Sequence, residues 1–263
     1  MDAATARLAA DGGADFRRGV YRAADSEAID SFDQIDDAVR KIDELDGPAN
    51  RRAKLLVYET DGPGVKLVDD MDRADLRTLF QSVESRDTLA RLSRQFDAGT
   101  VESRHLDEIT DLLDSGDMDG ADLGRFSQIL DQRDSDPMID SEVGADDLLT
   151  AVRKNSDLSD TRFTLKDQKS RVRWLEDGNS QAGWKHILQR HENQFYDLPG
   201  ISTRDDIQHL VYRTIKEGKA YPDPDEGTVY IMNVGSDSKV MVLVGGNGYV
   251  VTARPGTPSW FEK

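Results

Sequence analysis

The chain is predicted to be an α+β protein, with a mainly helical, acidic N-terminal region over residues 1–160 and a C-terminal domain over 161–263 in which helices pack on an antiparallel sheet. Three observations predict it. Apolar residues recur at helical spacing through the first region, apolar strands divided by glycine turns follow residue 228, and the charge balance changes between the two. Residues 1–160 hold 20 Lys and Arg against 38 Asp and Glu, whereas 161–263 hold 14 against 13, so a tail of net charge +1 belongs to a chain of −17.

Over residues 31–45, Phe32, Ile35, Val39, Ile42 and Leu45 keep a helical period, and Gly47-Pro48 is expected to end the run. Residues 55–58 and 65–68 flank Asp61-Gly62-Pro63-Gly64 and are expected to form a small β-hairpin. Leu89, Leu92 and Phe96, then Leu106, Ile109, Leu112 and Leu113, then Leu123, Phe126, Ile129 and Leu130 mark three short bundled helices. An acidic loop follows Asp131, a last helix carries Leu148, Leu149 and Val152, and residues 154–161 are expected to be the linker.

In the tail, a strand around 172–175 precedes a helix from Trp184 to about Glu192. A second helix begins at Thr203, places Asp205 and Asp206 in its first turn, presents Ile207, Leu210, Val211 and Ile215 on one side, and stops at Gly218. Strands at 228–234, 239–243 and 249–253, joined by Gly235-Ser236-Asp237 and by Gly245-Gly246-Asn247-Gly248, form an antiparallel meander. On the last strand, simple alternation places Val250 with Thr252 and Tyr249 with Val251 and Ala253.

The composition excludes several classes of chemistry. Without cysteine there is no disulfide and no thiolate site. No N-terminal apolar segment or stretch of about 18 apolar residues is present, so neither a signal peptide nor a membrane segment is expected. The chain is expected to be cytoplasmic at synthesis, with any secretion or delivery into a target cell by an unmarked route. The 39 Asp, 12 Glu and charge of −17 point to a salt-adapted protein whose compact state needs screening. The Asp-rich segments 114–120 and 131–136 lack the full calcium-loop spacing and its terminal Glu.

Three of the four histidines, His186, His191 and His209, fall in the tail. His186 and Arg190 are four apart and share a helical face; His191 falls at i+7 from Trp184 on the core-facing side, where it could equally be a packed core imidazole. His186 and His191 are five apart and diverge by about 140° around a helix, whereas a helical metal pair wants i, i+4, so no metal or other cofactor is assigned. Gly245-Gly246-Asn247-Gly248 opens into a strand rather than a helix, which makes it a hairpin turn and not a phosphate loop. Arg254, before Pro255, stands at the strand's end, and His209, between apolar residues, is expected to be structural.

The order His186-Ile187-x-x-Arg190-His191, Phe195, an Ile/Leu-rich helix ending at Gly218, two strands, and Asn247-Gly248-Tyr249-Val250-Val251-Thr252-Ala253-Arg254-Pro255 resembles the barnase, EndoU, colicin and RelE-like superfamily of toxin nucleases, in its phage and polymorphic-toxin branches. The resemblance covers about residues 165–260. It implies a ribonuclease toxin with helices followed by a four-stranded antiparallel sheet, RNA and specifically tRNA as substrate, and a cognate immunity or antitoxin protein as partner. Metal-free RNA cleavage needs a base for the 2′-OH, an acid for the leaving 5′-oxygen, and donors around the phosphorane. His186 and His191 suit the proton transfers, Arg190 and Arg254 the phosphate, and Thr252 a further donor, with Lys185 and Tyr249 as substrate-binding candidates. The alternative is a non-catalytic module of the same fold that uses His186 and Arg190 to hold RNA or another anion. Residues 1–160 carry no clustered chemistry and are expected to serve delivery, interaction or shielding.

Overall fold

The computed structural model describes residues 12–223 and 227–261. Through Leu130 the chain is helical: α1 Ala14–Ala24, α2 Phe32–Asp43, α3 Gly47–Thr60, α4 Gly62–Asp70, α5 Arg73–Ser82, α6 Arg86–Asp97, α7 Ser103–Ser115 and α8 Gly120–Gln132. Each turns its apolar stripe inward; Ile35, Ala38, Val39 and Ile42 of α2 are buried, as are Leu106, Ile109 and Leu112 of α7. Local chemistry sets the starts. Asp72 accepts from the Ala74 and Asp75 amides at 2.7 and 2.9 Å, and Ser85 caps α6 through Thr88. α1 crosses α3 so closely at Gly19 that a Cβ there would lie 2.7 Å from Tyr58 Cα.

The expected hairpin at 55–68 is not there. Both segments are helical, in α3 and α4, with Asp61 in a positive-φ turn between them. Gly47-Pro48 and Gly62-Pro63 open these helices rather than closing others, because a first-turn proline lacks only an amide that would be unpaired anyway. Leu56, Val57, Val65, Leu67 and Val68 are all at most 2% exposed. Residues 55–58 form an unbroken apolar run and Val65-Lys66-Leu67 alternates, and both short patterns imitate strands.

Two compact units divide between Leu130 and Asp131, earlier than the boundary expected near residue 160. Residues 154–161, expected to be the linker, are pinned within the second unit. Leu158 is fully buried in a 3-10 turn, and the Ser156 hydroxyl and Asp157 amide donate to Glu176 Oε1 at 3.1 and 3.0 Å.

The second unit contains α9 Ala145–Arg153, a two-stranded hairpin of β1 Thr161–Lys166 and β2 Val172–Glu176, then α10 Trp184–Tyr196, α11 Arg204–Glu217, and β3 Lys219–Pro222, β4 Thr228–Val234, β5 Ser238–Val244 and β6 Val250–Pro255. The last four form an antiparallel meander in the order β3-β4-β5-β6. The chain is thus α+β, with helices mostly N-terminal and a four-stranded antiparallel sheet C-terminal. Sequence reading missed α1, α5, β1 and β3; β3 is four residues long, follows α11 at once and ends on an edge proline.

α11 lies against β4 and β5, and α10 against β6. Tyr230, Val240, Val242, Val244, Val250 and Ala253 of the sheet share a core with Trp184, Ile187, Phe195, Leu210 and Val211. Val229, Ile231 and Met241 form the opposite face, covered by Tyr221, Leu243, Trp260 and Phe261. On β6 simple alternation fails. Val250 pairs with Val244 and Thr252 with Leu243, leaving Val251 as a bulge residue. Val250 and Ala253 therefore face the core, whereas Thr252 and Arg254 stand opposite Leu243 and Met241 on the other face.

Candidate functional site

The helix bearing the histidines is fixed to the edge of the sheet at its first residues. Gly183, with φ 84°, donates its N–H to Val251 O at 3.1 Å, and the Lys185 amide donates to Asp177 O at 2.9 Å. The Tyr249 phenol lies over this turn, where a Cβ on Gly183 would come within 2.3 Å of its oxygen. Trp184, Ile187 and Phe195 are buried, so the core fixes which face of α10 looks outward. The helix runs four residues beyond the expected end at Glu192.

The two imidazoles meet even though His191 shares the stripe of Trp184 and Ile187 and His186 does not. Their ring centroids are 6.0 Å apart at an interplanar angle of 77°, although positions five apart diverge at the backbone; side-chain rotation closes the gap. His186 Nδ1 donates to Ser180 O at 3.0 Å, and since a carbonyl can only accept, this nitrogen carries the proton. His191 Nδ1 pairs with Gln194 Oε1 at 3.3 Å in the same manner. In neutral rings both Nε2 lone pairs remain available.

His191 is half-exposed rather than a packed core imidazole. Its pKa is held below the ordinary value, first by partial burial and then by the nearby charges of His186, Arg254 and Arg190, against the opposing hydrogen bond to Gln194. Those same charges place Arg190, on α10, and Arg254, on β6, within electrostatic reach of the ring. The Arg254 guanidinium donates through Nη2 to Thr257 O at 2.8 Å and has no carboxylate partner among the described residues. Arg190 is exposed and likewise unpaired there.

The remaining candidates separate from this group. Thr252 Oγ1 is buried without a hydrogen-bond partner, on the sheet face opposite Val250 and Ala253. Lys185 is exposed. Tyr249 packs against Ala151, Val172 and Trp174, and its phenol is pushed up to about 12 by burial and by Glu176 and Asp160, so it braces the start of α10 rather than offering an open ring to a base. His209, expected to be structural, is exposed on α11 and borders a depression with Pro199, Asp206 and Arg213. Ile207, Leu210 and Val211 define the buried face, and position 209 falls outside it.

Sequence reasoning missed a buried polar group in the same unit. Asp167 Oδ2 accepts from Arg171 Nε at 2.8 Å, from Arg173 Nη2 at 3.1 Å and from the Tyr230 hydroxyl. Burial alone would raise its pKa, but the hydrogen bonds from Tyr230, Arg171 and the Lys169 amide hold it far below the usual carboxylate range. The available signal was the Asp-x-x-x-Arg-x-Arg spacing entering a strand. Among the described residues no three His, Asp or Glu side chains gather to hold a metal ion, and no helix is long and apolar enough to cross a membrane. No known protein-family model matches the chain, and no curated protein matches it.

Proposed function

We propose that the chain is a metal-independent endoribonuclease toxin that cleaves RNA, with tRNA as the expected substrate, to a 2′,3′-cyclic phosphate, and that an immunity or antitoxin protein neutralises it in a salt-adapted organism. The observation that carries this reading is the pair of imidazoles on α10, each held through Nδ1, with rings 6.0 Å apart. His191, with its lowered pKa, suits the base: its Nε2 takes the 2′-OH proton as the 2′-oxygen bonds to phosphorus. His186, protonated at Nε2, gives that proton to the 5′-oxygen as the P–O5′ bond breaks. Arg190 and Arg254 supply donors to the phosphorane. Thr252 shares the sheet face of Arg254, but its Oγ1 is enclosed and its claim is weaker, and Lys185 serves only the approach of the RNA.

The test is incubation of the full chain with total RNA in concentrated KCl and EDTA, beside His186→Ala and His191→Ala, with product ends mapped. Discrete cuts ending in cyclic phosphate, slowed about 100-fold or more in each variant, are expected. Intact RNA with a folded protein overturns the enzymatic reading and leaves the non-catalytic binding module.

A further inference from the structure

A second cationic site shares no residue with the histidine pair. A cavity of about 370 Å³ lies between α9, the β1–β2 turn, the start of β4 and the Gly245-Gly246 turn. Among the described residues, Lys154, Arg171 and Arg173 line it against one carboxylate, Asp147, which Lys166 already pairs at 2.9 Å. Lys154 is exposed and has no ion pair among the described residues. Arg171 and Arg173 share one counter-charge, Asp167, so the pair retains a positive charge.

Arg173 carries the argument further. It is 5% exposed, with Nε engaged by Asp167 and the Tyr230 hydroxyl at 3.2 and 3.1 Å and Nη2 by Asp167, whereas Nη1 has no partner among the described residues. A guanidinium anchored along one edge with a free donor beside a cavity can offer that donor to an acceptor there. The planar fork matches a phosphate, and the backbone at Gly245-Gly246 has no side chain to keep an anion away.

We infer that this cavity binds the phosphate group of a nucleotide-sized ligand through Lys154, Arg171 and Arg173. Its volume lies in the range of small-ligand sites, about 300–1,000 Å³. The inference is independent of the ribonuclease reading, because none of these side chains belongs to the proposed cleavage site.

Calorimetric titration of the full chain in KCl concentrated enough to keep it folded tests the assignment. The probes are adenosine 5′-monophosphate, inorganic phosphate and a short oligoribonucleotide without a terminal phosphate. The mononucleotide is expected to bind, Lys154→Gln and Arg171→Gln each to weaken it about tenfold or more, and His186→Ala to leave it unchanged. Lys154→Gln touches no other contact, so its thermal midpoint should match the parent. Absence of mononucleotide binding, binding indifferent to Lys154→Gln, binding lost in His186→Ala, or binding of the oligoribonucleotide alone would each overturn the proposal.

Discussion

At the residue scale, His191 and Asp167 both act in their deprotonated forms, the first for rate and the second for stability. On the proposed ribonuclease reading His191 is the base and must be neutral to work, so the acid limb of the rate profile is expected below the ordinary imidazole value of 6.5, with activity lost as pH falls through it. Arg254→Gln removes one of the charges that depress this pKa. Its kcat/KM profile is expected to shift its acid limb toward higher pH while the plateau drops; a plateau loss with an unmoved limb would separate Arg254 from the imidazole. Asp167 is the stability counterpart. Its folded pKa is depressed, so its contribution is present above the ordinary aspartate value of 3.8 and disappears as pH falls through the folded value. Asp167→Asn leaves Arg171 and Arg173 without a shared carboxylate, and is expected to destabilise the fold by about 3–5 kcal/mol in denaturant titrations near neutrality, with a smaller difference in acid.

At the scale of elements, the start of α10 decides where both histidines point. Gly183 has positive φ and touches the Tyr249 phenol, so Gly183→Ala should destabilise by about 1–3 kcal/mol, part of it relieved by adding Tyr249→Phe. A double-mutant cycle in urea reads this directly; strict additivity would show that the phenol is not what the glycine accommodates. Elements whose faces alternate were legible in the sequence, including α6, α7, α8, α11 and the β4–β6 meander. α3 and α4 were not: they read as strands because residues 55–58 are an unbroken apolar run and Lys66 alternates with Val65 and Leu67. For the candidate site the sequence supplied residue types and order, with His186, Arg190, His191 and Arg254 among them. It could not supply the rotamers that bring the rings together, nor the Val251 bulge that sets Thr252 and Arg254 on the face opposite Val250.

At the scale of the whole molecule, charge is the governing property. A formal charge of −17 repels itself over a screening length of about 10 Å in 0.1 M salt but only about 3 Å at 1 M. Desalting is therefore expected to unfold the chain and added KCl to restore it, as followed by circular dichroism; a melting temperature indifferent to salt would remove the case for salt adaptation. The meander β3-β4-β5-β6 is a succession of neighbours along the chain, with β6 entering last. During synthesis the histidine helix consequently leaves the ribosome before the strand that carries Arg254, by an interval on the order of 3–12 seconds at ordinary elongation rates. The nascent polypeptide passes that interval with its imidazoles present and its edge strand missing, so on the proposed ribonuclease reading activity waits for the last strand.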